Sequence, residues 1–189
     1  MKHYTVKRYT FQELEGAARD KAIEGYQLSL NEALDSNEIE EYLRNKLEEK
    51  LGGSPEDITL SFSLNYLQGD GVAIYGRLYI EEAENLTWPD GSAYADLVRN
   101  SWGHHYSHWN TFNVELSDAE QEPISLAGTV LEQQLRDICR ELERDGYKFI
   151  ENSTSREAAL EALNDNDDAV YLIDGTFNIP RGIVSEVNA

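Results

Sequence analysis

The chain has 189 residues, 40% of them hydrophobic and 10% aromatic, with 36 acidic residues against 16 basic and a formal net charge of −20. That much apolar material excludes a disordered acidic tail, and the charge excludes a surface built to hold a phosphate backbone or an anionic lipid headgroup. A single cysteine, Cys139, excludes an intramolecular disulfide and suits a reducing compartment; with no secretory-type apolar run near the start and no apolar stretch of about 18 residues, a soluble cytoplasmic protein is expected.

Taken in chain order, Tyr4, Val6 and Arg8 alternate with Thr5, Lys7 and Tyr9 and predict a strand over residues 3–10. Phe11, Leu14, Ala18, Ala22, Ile23, Tyr26, Leu30 and Leu34 recur at helical spacing, which predicts a helix with Glu13 and Glu15 at its positive end. Asp35 and Ser36 can cap a second helix, in which Ile39, Leu43, Leu47 and Leu51 repeat until Gly52-Gly53 stops it. Its outer face sets Glu38, Glu40, Glu41, Glu48 and Glu49 against Arg44, Lys46 and Lys50, the pattern of a solvated face laced with short-range ion pairs.

Ile58, Leu60, Phe62, Leu64 and Tyr66 alternate with small polar residues and predict a strand over 58–66; after Gln68-Gly69-Asp70-Gly71 the alternation resumes with Val72, Ile74, Leu78 and Ile80. Asp-Gly between two such runs is a hairpin signal, because both residues tolerate tight-turn backbone angles. Trp88-Pro89-Asp90-Gly91 reads as a turn, residues 94–100 as a short helix, and 106–116 as another antiparallel strand with Phe112, Val114 and Leu116 facing in. A helix is expected over 125–145, with Val130, Leu131, Leu135, Ile138, Cys139 and Leu142 on its apolar stripe and Gly146 as its terminator. A shorter helix over 155–163, a strand over 169–173, the turn Asp174-Gly175 and a last strand through Ile179 complete the reading. Strands segregated from helices imply an α+β fold, an antiparallel sheet with helices on one face in the order β-α-α-β-β-β-α-α-β. It forms one domain over 1–189, in which 11–53 reads as a helical hairpin that could stand as a subdomain.

Candidate chemistry is sparse. Three histidines fall in Trp102-Gly103-His104-His105-Tyr106-Ser107-His108. On a helix, His104 and His108 could share a zinc ion; on a strand, which the following residues favour, they stand about 13 Å apart at roughly 3.3 Å per residue and could not. The glycines at 69, 71 and 103 lack the following helix and Lys-Ser/Thr pair of a phosphate loop. The runs Glu81-Glu82-Glu84 and Asp165-Asp167-Asp168 lack the spacing of a calcium loop. Cys139 sits on an apolar stripe, as a small buried hydrophobe would. No catalytic residue, metal or cofactor is therefore expected, and the chain is not read as an enzyme. Trp88, Trp102, Trp109, Tyr94 and Tyr106 make an aromatic-dense middle section, open to two readings: sheet core or partner surface.

Several stretches resemble a known group. Tyr9-Thr10-Phe11-Gln12-Glu13-Leu14 leading into Ala17-Ala18-Arg19-Asp20-Lys21-Ala22-Ile23, then Phe62-Ser63-Leu64-Asn65-Tyr66 with Gln68-Gly69-Asp70-Gly71, Leu135-Arg136-Asp137-Ile138-Cys139-Arg140-Glu141-Leu142 and the terminal Asp174-Gly175 are similar to an uncharacterised family of small acidic proteins of tailed bacteriophages and prophages, some of them labelled antitoxins. The resemblance implies a phage protein acting in the host cytoplasm, with no catalytic residues defined. Together with the charge, it matches the profile of anti-defence proteins. The expectation is an acidic inhibitor of a basic, nucleic-acid-binding host defence protein, anti-CRISPR or anti-restriction, acting by DNA mimicry without binding nucleic acid or membrane itself. The contact carboxylates would be Glu40, Glu41, Glu48 and Glu49 on the second helix and Asp137, Glu141 and Glu143 on the third. Two alternatives stand beside it: an antitoxin or immunity protein neutralising a basic toxin, and a metal-dependent hydrolase using His104, His105 or His108.

Overall fold

The computed structural model describes residues 7–117, 122–166 and 168–177, and among them the fold is α+β. The chain forms two compact units, Asp35–Phe149 and the pairing of Met1–Leu34 with Ile150–Ala189. The two predicted helices of 11–53 fall in different units.

In the Asp35–Phe149 unit, α2 (Ser36–Leu51) begins where Asp35 accepts a hydrogen bond from the Asn37 N–H and ends at Gly52, whose φ of 82° is left-handed. Five strands follow: β1 (Ile58–Ser63), β2 (Gly71–Tyr79), β3 (Tyr94–Arg99), β4 (Phe112–Leu116) and the short β5 (Ile124–Ser125). They form an antiparallel meander in which every strand pairs with its sequence neighbour. The register sets Leu60 opposite Ile74, Phe62 opposite Val72, Gly76 opposite Leu97 and Leu97 opposite Val114, so one face of the sheet is a continuous apolar layer. Arg77 and Asp96, also opposite each other, join in a two-pronged ion pair of 2.7 and 3.0 Å.

Residues 94–100, expected as a short helix, are strand β3. Ala95 and Leu97 are buried at period two between β2 and β4, and hydrogen bonding to two neighbouring strands outweighs a weak local helical preference. The expected strand over 106–116 shrinks to β4. Asn100 instead accepts from the N–H groups of Trp102 and Gly103 and starts a 3₁₀ turn over Ser101–His104. The loop that follows folds back across β1 and β2, where Ser107 shares a 2.8 Å hydrogen bond with Ser61 and Thr111 one of 2.8 Å with Tyr75. Val72, Ala73, Ile74 and Tyr75 are consequently all buried, covered on both sides of their strand.

Helix α3 (Val130–Ser153) buries Leu131, Leu135, Ile138, Cys139 and Leu142, and it does not stop at Gly146. A Cβ at Gly146 would lie 2.5 Å from Leu64 Cδ1 and 3.2 Å from Leu43 Cδ2, so the missing side chain lets α3 approach α2 and the end of β1. A mid-helix glycine costs about 1 kcal/mol, less than the roughly 2 kcal/mol gained by burying each leucine it brings together.

In the other unit the predicted first helix is interrupted. Phe11–Glu13 is a 3₁₀ turn closed by Thr10 and Glu13, Leu14 is extended, and α1 runs from Gly16 to Ala33. With α4 (Arg156–Asn164), capped by Ser155, it encloses Phe11, Leu14, Ala22, Ile23, Ala159, Leu163, Ala169 and Tyr171. The strands expected over 3–10 and 169–173 reduce, among the described residues, to bridges of Tyr171 with Tyr9 and with Phe177; residues 3–6 and 178–179 lie outside the described residues. No described helix is long and apolar enough to cross a membrane.

Candidate functional site

The seven carboxylates singled out in the sequence divide between two places in the Asp35–Phe149 unit. Helices α2 and α3 lie against each other: Lys50 Nζ on α2 is 2.7 Å from Glu141 Oε2 and 3.5 Å from Asp145 Oδ2 on α3, and Tyr42 stacks on Phe149 with ring centres 4.4 Å apart. The two acidic helices are therefore neighbours, with Lys50 bridging them. Most of the carboxylates have partners of their own. Glu40 pairs with Arg44 at 3.4 Å, Glu49 with Lys46 at 2.6 Å, and Asp137 with Arg140. Glu48 accepts from the Ser54 hydroxyl at 2.8 Å, while Glu41 is exposed. The Lys46 ammonium holds the Glu49 carboxyl below its ordinary pKa, and hydrogen bonds from Gln133, then from Arg140, do the same for Asp137. Pairs this exposed are screened by water and add little to stability.

Glu143 stands apart from these pairs, at the end of the sheet where the β1–β2 turn, the loop between β3 and β4, and the later part of α3 converge. A Cβ on Gly71 would sit 3.2 Å from Glu143 Oε2 and 3.2 Å from His108 Cδ2. Burial pushes the Glu143 carboxyl above its ordinary pKa, and nearby Asp70 adds to the shift while His108 opposes it.

Asp70 organises the turn. Its Oδ1 accepts from the Ser63 hydroxyl at 2.6 Å, and its Oδ2 accepts from the N–H groups of Asn65 at 2.6 Å and Leu67 at 2.7 Å. Burial alone would raise its pKa, but these donors outweigh it and hold the carboxyl below the ordinary range. The two clamped N–H groups belong to the residues on either side of Tyr66, the one non-glycine among the described residues with positive φ, at 59°. A tyrosine in that conformation costs on the order of 1 kcal/mol or more, and such strain persists only where its surroundings enforce it. Here it takes Tyr66 off the inward face expected for it and lays its ring against Tyr147, with centres 4.5 Å apart. Gly69, with φ of +92°, lies flat on Tyr106: a Cβ there would meet the ring at 2.2 Å.

The result is a rim of exposed apolar groups, Leu67 at 68%, Tyr66 and Trp102 at 63% and Tyr106 at 43% exposure, with Trp102 and Tyr106 stacked at 29°. The aromatic section thus divides residue by residue. Trp109 lies under Arg140 and Tyr94 under Arg77, Trp88 donates to the Ala83 carbonyl at 3.1 Å, and Trp102 and Tyr106 face outward. Sequence reasoning missed Tyr66 and Leu67, because the alternation that carries β1 continues through them; the signal was Asp70, whose carboxylate closes the turn on the preceding N–H groups.

His104 closes the 3₁₀ turn and His105 follows it, both exposed, while His108 is fastened to Asn110 at 2.7 Å, so the strand spacing expected for them is replaced by a turn and loop. Among the described residues no group of three His, Cys, Asp or Glu side chains is placed to hold a metal ion. Cys139 is fully buried and burial pushes its thiol up to about 12, far from a nucleophilic thiolate. Compared with family models, curated proteins and solved structures, the chain matches none.

Proposed function

We propose that this chain is a non-enzymatic, phage-encoded binding protein that acts in the host cytoplasm by occupying the basic surface of a nucleic-acid-binding defence protein, a CRISPR complex or a restriction enzyme. The observation that carries the reading is the joining of α2 and α3 through Lys50, Glu141 and Asp145, which sets two acidic sequence segments side by side. Carboxylates on neighbouring helices of a chain of net charge −20 offer a Lys- and Arg-lined cleft complementary potential and fast, salt-sensitive association. The Glu40–Arg44 and Glu49–Lys46 pairs on α2 are exposed and weak, so a partner's cations can displace them.

The test is direct binding to purified restriction enzymes and CRISPR effector complexes by biolayer interferometry across a salt series, with competition by their cognate duplex DNA. Stoichiometric binding that displaces DNA and weakens steeply with salt is expected. Reversing Glu40, Glu41, Glu48 and Glu49 to lysine should weaken it at least about tenfold and flatten the salt slope. Absence of binding to any nucleic-acid-binding protein, or binding of the chain to the DNA itself, would sink the reading.

A further inference from the structure

We infer that the rim formed by Tyr66, Leu67, Trp102 and Tyr106, with Glu143 beside it, is a docking surface for an arginine-bearing segment of a protein partner. This rests on the reading that the partner is basic, and locates a contact that the acidic helices do not provide.

Tyr66 is held in a left-handed conformation by Asp70, and Gly69 is flattened against Tyr106, yet both rings end up exposed. Elsewhere in the same unit, half-exposed rings are covered by guanidinium groups: Arg140 lies 3.8 Å over Trp109 and Arg77 4.2 Å over Tyr94. Among the described residues no cation lies over Trp102 or Tyr106. Glu143 is half-buried next to this surface, and its oxygens take no hydrogen bond or ion pair from the described residues.

Stacked aromatic faces beside a carboxylate that has His108 nearby but no ion pair among the described residues suit a planar cation, which gains from ring stacking and from the charge together. Single-stranded nucleic acid also stacks on aromatic rims, but its phosphates would approach a chain of net charge −20 without a basic groove to receive them. Charge complementarity therefore selects arginine over a base.

The probes are three: a nine-residue peptide alternating arginine and glycine, its lysine counterpart, and a single-stranded thymidine oligonucleotide, each titrated against the full chain by tryptophan fluorescence and NMR shift mapping. The arginine peptide should bind several-fold tighter than the lysine peptide and shift the Trp102 indole signal. Trp102→Ala and, separately, Leu67→Ser, both at exposed positions and checked for an unchanged thermal midpoint, should weaken the arginine peptide about three- to tenfold. The lysine reversal of Glu40, Glu41, Glu48 and Glu49 should change it less than either rim variant. Equal affinity for the two peptides, or loss on helix reversal with the rim variants unaffected, overturns the rim while leaving a basic partner standing. Failure of both peptides to bind removes the basic partner as well. Preferential binding of the oligonucleotide, or a Trp102-dependent dimer in sedimentation, overturns the inference in favour of nucleic acid or of a second copy of this chain.

Discussion

Asp70 shows how much a single side chain can decide. Its carboxylate accepts from the N–H groups of Asn65 and Leu67, on either side of Tyr66, so removing it loses charge-assisted hydrogen bonds and also leaves a strained tyrosine unsupported. Asp70→Ala should lower stability by about 2 kcal/mol in urea denaturation, and the loss should shrink when Tyr66 is also changed to Gly, which tolerates the same φ without strain. Because the folded carboxyl titrates below its ordinary value of 3.8, its contribution is complete above that pH and fades as pH falls through the folded value. Glu143 has the opposite sign. Its folded pKa is raised by burial, so the fold favours the protonated form, and the ionised carboxylate weighs against folding as pH rises past its ordinary value of 4.5. Glu143→Gln should therefore stabilise the protein at pH 7, by under about 1 kcal/mol, and the gain should disappear in melts near pH 4. Asp70 is visible in the sequence as part of a turn; Glu143 cannot be told from its helical neighbours, because its difference lies in what α3 packs against.

At the scale of elements, the places where sequence and structure agree are those governed by bonds a few residues long. Asp35 caps α2, Gly52 ends it, Ser155 caps α4 and Gly69-Asp70-Gly71 turns the chain between β1 and β2. The disagreements occur where a distant element outbids a local signal. Gly146 carries the composition of a stop, yet it is a buried contact of α3 with Leu64 and Leu43. Gly146→Ala, which in an exposed helix would stabilise by about 1 kcal/mol, should here destabilise by about 1–3 kcal/mol through overpacking; a second change, Leu64→Ala, should relieve part of that clash, as paired chemical denaturation curves would show. Residues 94–100 became a strand because β2 and β4 flank them, and the expected strand over 106–116 lost its first half to the turn begun by Asn100.

For the molecule as a whole, a net charge of −20 is self-repulsion that screening relieves. Thermal stability should therefore rise when sodium chloride is taken from about 20 to about 300 mM, a gain that should be smaller in the variant with Glu40, Glu41, Glu48 and Glu49 reversed to lysine. The α+β class, the acidity and its concentration in helices follow from composition and periodicity alone, since both depend on residue type and on spacing within one element. The sequence also determined the ends of α2 and the hairpin, for the same reason: their hydrogen bonds are local. Tertiary structure alone decided that the two acidic helices lie side by side, that Lys50 bridges them, that Glu143 is set apart, and that Tyr66, Leu67, Trp102 and Tyr106 form an exposed rim. Those outcomes turn on contacts between residues far apart in the chain, such as Lys50 with Glu141 and Gly69 with Tyr106, where packing and desolvation outweigh any preference a short segment carries by itself.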